Sequence, residues 1–325
     1  MRRHTFPQDN GRSLLAAPLA VEAQGKVPRI GYLGANSPAA NVERIEAFRQ
    51  GLLELGYVEG KNIVIEWRSA EGTLDHLPAL AAELVRLKVD VIVTGGSPTT
   101  RAAQEATATI PIVMAQDGDP VGNGFVASLA RPGGNITGLS SLFSELGRKR
   151  LELLKEIIPR LSHVAVLGTS TIPANASQLR ETDLAAGVFG VKLQYLDVLD
   201  PKDIEPAFRA ARNARVDAVL LLVSNVLNSR RTQIADLAVR NRLPAIYGQQ
   251  EYVKAGGLMA YNVSTADLWR RSATYVDKIL KGRKPADLPV EQPTKFEFII
   301  NLNAAKQIGL TIPASVLTRA DQVIE

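Results

Sequence analysis

Short apolar runs recur along this chain, and each ends in small or polar residues. Such runs occupy residues 29–34, 89–96 and 111–115, and a second set begins with 163–168 and continues with 216–223. The segments between them repeat apolar residues every three or four positions, as amphipathic helices do. Among the helices we predict are a short one at residues 124–130 and a long one at residues 266–280. Strands and helices that alternate in this way predict an α/β protein with parallel sheets covered by helices on both faces. Two such sets predict two lobes with a cleft between them.

Polar residues at the ends of the predicted strands supply the candidate chemistry. Residues 97–100 follow one strand, Asp119 follows the next, and residues 224–225 and Tyr247 end strands of the second set. Ligands of open parallel sheets bind outside the carboxyl ends of the strands. Ser97 can cap a helix whose free N–H groups favour an anion, Asp119 can accept from an ammonium group, and Tyr247 can stack on a planar ligand. Each residue also has a structural alternative, which the sequence leaves open. Ser97 could simply cap a helix, Asp119 could brace a glycine-rich loop, and Tyr247 could be a half-buried tyrosine at the end of a strand.

Composition narrows the class of protein. A chain of 325 residues suits two domains of about 150 residues each, and its net charge of +5 comes without a block of basic residues. We interpret residues 148–150 and 230–231 as solvated helix faces, which predicts no nucleic-acid partner. The chain has no cysteine, which excludes disulfides and thiolate chemistry. With two tryptophans, seven tyrosines and eight phenylalanines, no cage of aromatic residues is evident.

Enzyme motifs are missing from the sequence. Its histidines, His4, His76 and His163, do not have the spacing of metal ligands. No phosphate-binding loop or nucleophile elbow occurs. Residues 122–127 loosely match a dinucleotide-binding turn, but residues 117–120 separate them from the preceding strand, where that turn has to begin. The sequence therefore predicts neither catalysis nor a cofactor or metal.

Residues 1–26 have the features of an export signal. Arg2 and Arg3 are basic, residues 14–20 are apolar, and residues 21–23 offer small residues at the spacing a signal peptidase needs. We predict a periplasmic or otherwise exported protein, with a disordered cytosolic tail as the alternative. No later run approaches the roughly 20 apolar residues of a membrane helix.

One long run carries a family resemblance. Residues 119–138, DPVGNGFVASLARPGGNITG, resemble the signature of substrate-binding proteins of ABC transporters, and more narrowly the tryptophan/tyrosine-type group. Residues 29–33, 48–57, 243–247, 256–261 and 296–305 resemble the same family. The similarity covers nearly the whole chain from about Val27 onward.

The resemblance implies a type I periplasmic-binding fold, in which two lobes, each a mostly parallel sheet flanked by helices, are joined by three crossings. Lobe 1 would hold residues 27–142 and 263–287, and lobe 2 residues 143–262 and 288–325. The implied function is a monomeric receptor that closes about hinges on a small carboxylate-bearing metabolite. That solute, an amino acid and possibly an aromatic one, would pass to an ABC permease in the membrane.

The resemblance also implies which residues line the cleft. They are Asn36, Ser37, Ser97, Thr99 and Asp119 in lobe 1, and Asn175, Ser224, Asn225 and Tyr247 in lobe 2. Family members often carry an acidic residue where this chain has Asn225. A regulatory sensor or an α/β enzyme on a similar scaffold are the alternatives. A sensor of this type needs a DNA-reading helix-turn-helix before the first strand, and the residues there do not suit one. The sequence does not identify the solute or the permease.

Overall fold

The computed structural model describes residues 1, 27–142 and 146–325, apart from the side chains of residues 173, 174 and 225. Residues 2–26, which carry the predicted export signal, and Phe143, which ends the first predicted hinge segment at residues 139–143, lie outside the described residues. All structural statements below concern the described residues.

The strands form two sheets. The first has five strands in the order β2-β1-β3-β4-β5, and the second has seven in the order β12-β11-β10-β9-β8-β6-β7. All neighbouring strands run parallel except β10 and β11, which pair antiparallel. The strands are β1 Arg29–Gly34, β2 Val64–Ser69, β3 Val91–Gly95, β4 Ile112–Asp117, β5 Ile136–Ser140, β6 His163–Gly168, β7 Lys192–Asp197, β8 Ala218–Leu221, β9 Ala245–Tyr247, β10 Met259–Val263, β11 Phe296–Asn301 and β12 Gln322–Ile324. The prediction of two mostly parallel sheets is confirmed.

Helices cover both faces of each sheet. They are α1 Val42–Glu54, α2 Leu77–Arg86, α3 Ser97–Ala106, α4 Leu146–Ile157, α5 Pro173–Phe189, α6 Ile204–Asn213, α7 Asn225–Ser229, α8 Arg231–Arg240, α9 Gln250–Lys254, α10 Thr265–Leu280, α11 Leu302–Ile308 and α12 Ala314–Leu317. Against the first sheet, one core is built around Phe48 and Trp269, and the other around Leu84 and Met114. The second sheet likewise has an apolar core on each face.

A short helix expected from the sequence is absent. We predicted helix for residues 124–130, but the structure has turns there. The backbone N–H groups of Phe125 and Val126 both donate to Pro120 O, and Ala127 N donates to Pro132 O. These bonds tie the loop back on itself, so its N–H groups are not available for helical bonding.

Three segments pass between the sheets. One leads from β5 to α4, one from β10 to α10, and one leads into β11. The last runs beside β5 first, where Thr137 Oγ1 donates to Leu288 O at 2.6 Å and Ser140 N donates to Glu291 O at 2.9 Å. The side chains of Leu288 and Val290 pack into the two cores of the first sheet. We therefore propose that lobe 1 extends beyond the predicted boundary at residue 287.

Candidate functional site

The carboxyl edge of the first sheet carries a polar network around Asp117, the last residue of β4. Ser97 Oγ donates to Asp117 Oδ2 at 2.9 Å, and Asn123 Nδ2 donates to Asp117 Oδ1 at 2.9 Å. Burial raises the pKa of the Asp117 carboxyl, while hydrogen bonds from Ser97 and Asn123 oppose the rise. The predicted cleft residue Ser97 thus lies in a network whose other members, Asp117 and Asn123, the sequence analysis did not select.

The other predicted residues of lobe 1 have local partners at this edge. Asp119 is exposed, and its Oδ1 accepts from Gly122 N at 2.8 Å, which braces the glycine-rich loop. Thr99 is fully buried, and its hydroxyl donates to Gly96 O at 2.9 Å. Ser37 Oγ accepts from Ala40 N at 3.3 Å. Ser37 thus caps a short 3-10 helix and Asp119 braces the loop, whereas Thr99 bonds to Gly96, the N-cap residue of α3. Contact with a ligand stays a prediction for all three residues.

Aromatic side chains gather beside this edge. The rings of Tyr32 and Trp67 lie 4.7 Å apart, and those of Tyr32 and Trp269 lie 5.7 Å apart. Tyr32 and Trp67 also line a groove of about 190 Å³ together with Asn36, a predicted cleft residue. A Cβ on Gly95 would lie 2.4 Å from the Trp269 ring, so the absence of a side chain there makes room for the indole. The sequence did not reveal this cluster, because its members come from β1, β2 and α10.

The predicted residues of lobe 2 that are described are all buried. Asn175 Nδ2 donates to Thr169 O at 3.0 Å, and the hydroxyls of Thr169 and Ser224 share a hydrogen bond of 2.6 Å. Tyr247 is fully buried rather than half-buried, and its ring stacks on Tyr252 at 4.6 Å. Asn225 is the first residue of α7, and its side chain lies outside the described residues. The structure therefore brings Asn175 and Ser224 together around Thr169 and places Tyr247 in the apolar core.

Arg150 is a charged side chain that the sequence analysis misjudged. It is fully buried on α4, so the interpretation of residues 148–150 as a solvated face is wrong at this position. Arg150 falls on the apolar stripe of Leu146 and Leu154, four residues away on either side, and that spacing was the available signal. Its Nε donates to Tyr261 O at 2.9 Å, while Nη1 and Nη2 have no partner among the described residues. Burial lowers the pKa of the guanidinium to about 10.

Unpartnered buried polar atoms concentrate at these edges. Buried polar groups in native proteins are nearly always hydrogen-bonded, so each exception needs an explanation. Within the described residues they belong to Gln116, Arg150, His163, Asn175, Gln178, Tyr247, Asn262 and Trp269. Apart from His163, which opens β6, these residues lie near the carboxyl edges, on helices that start there, or beside a crossing. Donors and acceptors are both present among these atoms, and Tyr247 and Trp269 lie in the apolar cores.

The two lobes also touch through charged groups. Lys254 Nζ of α9 lies 3.2 Å from Glu43 Oε1 of α1, and Gln250 Nε2 donates to Glu43 Oε2 at 3.3 Å. Both helices follow strands at the carboxyl edges, α1 in the first lobe and α9 in the second. We call Glu43, Gln250 and Lys254 the interlobe clasp.

The described part of the chain has neither a metal-binding cluster nor a membrane-spanning helix. No group of three or more metal-binding acidic or histidine side chains occurs there. No helix of residues 27–142 or 146–325 combines the length and apolarity needed to cross a membrane.

Comparison with known proteins identifies the family. A sequence model described as "ABC transporter substrate binding protein" matches residues 37–324, which is most of the chain. The chain belongs to this family. The family binds small molecules for a membrane permease, and its members are typically periplasmic or exported. This result confirms the resemblance found in the sequence.

Individual relatives are similar over almost the same length. A "Tyrosine-binding protein" of Clostridioides difficile is 26% identical over 265 residues, which cover 82% of this chain and 76% of that one. A solved conserved domain protein from Vibrio cholerae is 30% identical with a TM-score of 0.84, over 92% of this chain and 100% of that one. A solved ABC domain from Streptococcus pneumoniae in complex with L-Trp is 27% identical with a TM-score of 0.82, over 91% of this chain and 99% of that one. These likenesses confirm the predicted two-lobed periplasmic-binding fold.

Proposed function

We propose that this protein is a non-enzymatic, exported receptor that captures an aromatic α-amino acid between its lobes and delivers it to an ABC permease. The observation that carries the proposal is the set of unpartnered buried donors and acceptors near the carboxyl edges of the two sheets. Arg150 offers guanidinium donors, and the side-chain oxygens of Gln116 and Asn262 offer neutral acceptors. An amino-acid zwitterion has one anionic and one cationic group, so it can use both kinds.

The aromatic cluster supports a flat side chain on the ligand. Tyr32 and Trp269 are buried in the core of the first sheet, while Trp67 is partly exposed on the groove that it lines with Tyr32 and Asn36. A planar ligand ring packed on Trp67 would contribute about 0.5–1.5 kcal/mol beyond the area it buries. Two of the relatives described above have a stated ligand: one, 26% identical, is a tyrosine-binding protein, and the other, 27% identical, was solved in complex with L-Trp. Both ligands are amino acids with a planar ring.

Capture works through closure of the lobes. The three crossings act as hinges, and ligand binding favours the closed state only as far as both lobes contact the ligand. Closure excludes water, so a few hydrogen bonds can then set specificity. No covalent step is needed, and we propose that the protein works as a monomer.

A thermal-shift screen tests this proposal. Purified protein is melted with each L-amino acid, with the D-enantiomers of the aromatic ones, and with NAD and nucleotide sugars. A ligand at about 100 times its dissociation constant adds about 2.7 kcal/mol to stability, which for a protein of this size raises the melting temperature by several degrees, on the order of 5 °C. We expect that shift with L-tyrosine or L-tryptophan. A shift with NAD or a nucleotide sugar alone, or with none of the compounds, would refute the amino-acid receptor.

A further inference from the structure

The guanidinium of Arg150 lies where three strands of the second sheet end. Its Nε is held by Tyr261 O on β10, next to the crossing into α10. A Cβ on Gly248, just after β9, would lie 2.9 Å from Arg150 Nη2 and 3.3 Å from the Val223 side chain, just after β8. The head of Arg150 is therefore fixed by one bond at the carboxyl edge, and glycine at position 248 leaves room for it.

The other two nitrogens of the Arg150 guanidinium lack hydrogen-bond partners among the described residues. Arg150 is fully buried, and Nη1 and Nη2 have no hydrogen-bond partner within the described residues. A buried charge without a partner is strongly unfavourable, and proteins retain one where something else completes it. No carboxylate of residues 27–142 or 146–325 forms an ion pair with this side chain. The partner of Nη1 and Nη2 therefore lies outside the described residues.

We propose that Arg150 binds the carboxylate of the ligand through Nη1 and Nη2 and makes the receptor selective for acids. This inference rests on the proposed function, whose ligand it specifies further. Two parallel N–H donors match the two oxygens of one carboxylate, and a single positive charge matches its single negative charge. The amides of these amino acids, and the amines formed by their decarboxylation, lack the negative charge of a carboxylate, so the site rejects them.

Calorimetric titration and thermal melting of the full chain test the inference with Arg150→Met. The matched control is Arg148→Met on the same helix, whose side chain is 69% exposed. The probes are L-tryptophan and L-tyrosine, their amides, tryptamine and tyramine, and the simple acids acetate, benzoate and indole-3-acetate. Removing one partner of a buried ion pair weakens binding by at least about thirtyfold. We expect that loss for the acids in Arg150→Met, wild-type affinity in Arg148→Met, and weak or no binding of amides and amines by the wild type.

Melting without ligand separates a binding role from a structural one. If Arg150 only supports the fold, Arg150→Met should melt well below the wild type. If it waits for an anion, removal of the unpaired charge offsets loss of the Nε bond to Tyr261 O, so the melting temperature should fall by no more than a few degrees, on the order of 5 °C. A larger fall, acid binding retained by Arg150→Met, or equal binding of acids and amides by the wild type would overturn the inference.

The panel also separates this inference from the proposed function. If the wild type binds simple acids but neither amino acid, and Arg150→Met loses them, the amino-acid proposal fails and the carboxylate inference stands. If no compound distinguishes the wild type from Arg150→Met, the inference fails, whichever amino acid the screen has found.

Discussion

Reversal of one charge in the interlobe clasp should weaken ligand binding without unfolding the protein. The side chains of Lys254 and Glu43 are 50% and 64% exposed, so their ion pair at 3.2 Å is a surface pair worth about 0.2–1 kcal/mol. We infer that this pair forms when the lobes close, so that its free energy favours the closed state and its loss lowers ligand affinity. Its removal corresponds to a loss of about 1.4- to 5-fold in affinity. In Glu43→Lys, repulsion from Lys254 adds a similar amount.

The assay is calorimetric titration of the ligand at about 20 mM and 500 mM salt, where the Debye length falls from roughly 20 Å to 4 Å. The difference between Glu43→Lys and wild type should be largest at low salt and shrink at high salt. The double variant Glu43→Lys with Lys254→Glu should recover most of the affinity. The matched control is Asp236→Lys, which disrupts an exposed pair within α8 alone. Equal affinities of wild type and Glu43→Lys at low salt, or the same loss in the control, would refute a role of the clasp in closure.

Two further predictions concern the stability of each lobe. Gly51→Ala should lower the free energy of unfolding by about 1–3 kcal/mol in a denaturant titration, because the new Cβ would lie 2.2 Å from Arg270 O where α1 meets α10. The control is Gly187→Ala in α5, which has open space around it and should be neutral or slightly stabilising. Equal effects of the two substitutions would contradict the packing argument. Burial raises the pKa of Asp217, but hydrogen bonds from Ser162 and His163 outweigh it and hold that pKa below its ordinary value. Asp217→Asn should therefore lose on the order of 1 kcal/mol at neutral pH. The gap should begin to narrow near pH 3.8, where this carboxyl takes up a proton in the unfolded chain, and should vanish only below its lowered pKa in the folded protein. A gap of constant size from pH 7 down to acid pH would contradict this cause.

Periodic patterns predicted the secondary structure well where one face of an element is buried. The helix expected at residues 266–280 is observed as Thr265–Leu280, and the strand expected at 163–168 is observed at those residues. In amphipathic helices and buried strands, the spacing of apolar residues in the local sequence indicates which face is buried. The prediction of helix for residues 124–130 was wrong because hydrogen bonds to Pro120 and Pro132, which lie outside that segment, decide its conformation.

The candidate site was only partly accessible to sequence reasoning. Ser97 and Ser224 were predicted because polar residues that directly follow an apolar strand can be recognised from the sequence alone. The burial of Arg150 depends on contacts with Tyr261 and Gly248, about a hundred residues further along the chain. The one local signal was the spacing of Arg150, which lies four residues from Leu146 and four from Leu154 on the apolar stripe of α4.

A crystal structure of the protein grown with L-tyrosine or L-tryptophan tests the central claim most directly. Our account predicts the amino acid between the carboxyl edges of the two sheets, with its carboxylate on Arg150 and groups from both lobes in contact with it. A ligand bound to one lobe alone, or a cleft left empty while the amino acid binds elsewhere, would contradict it.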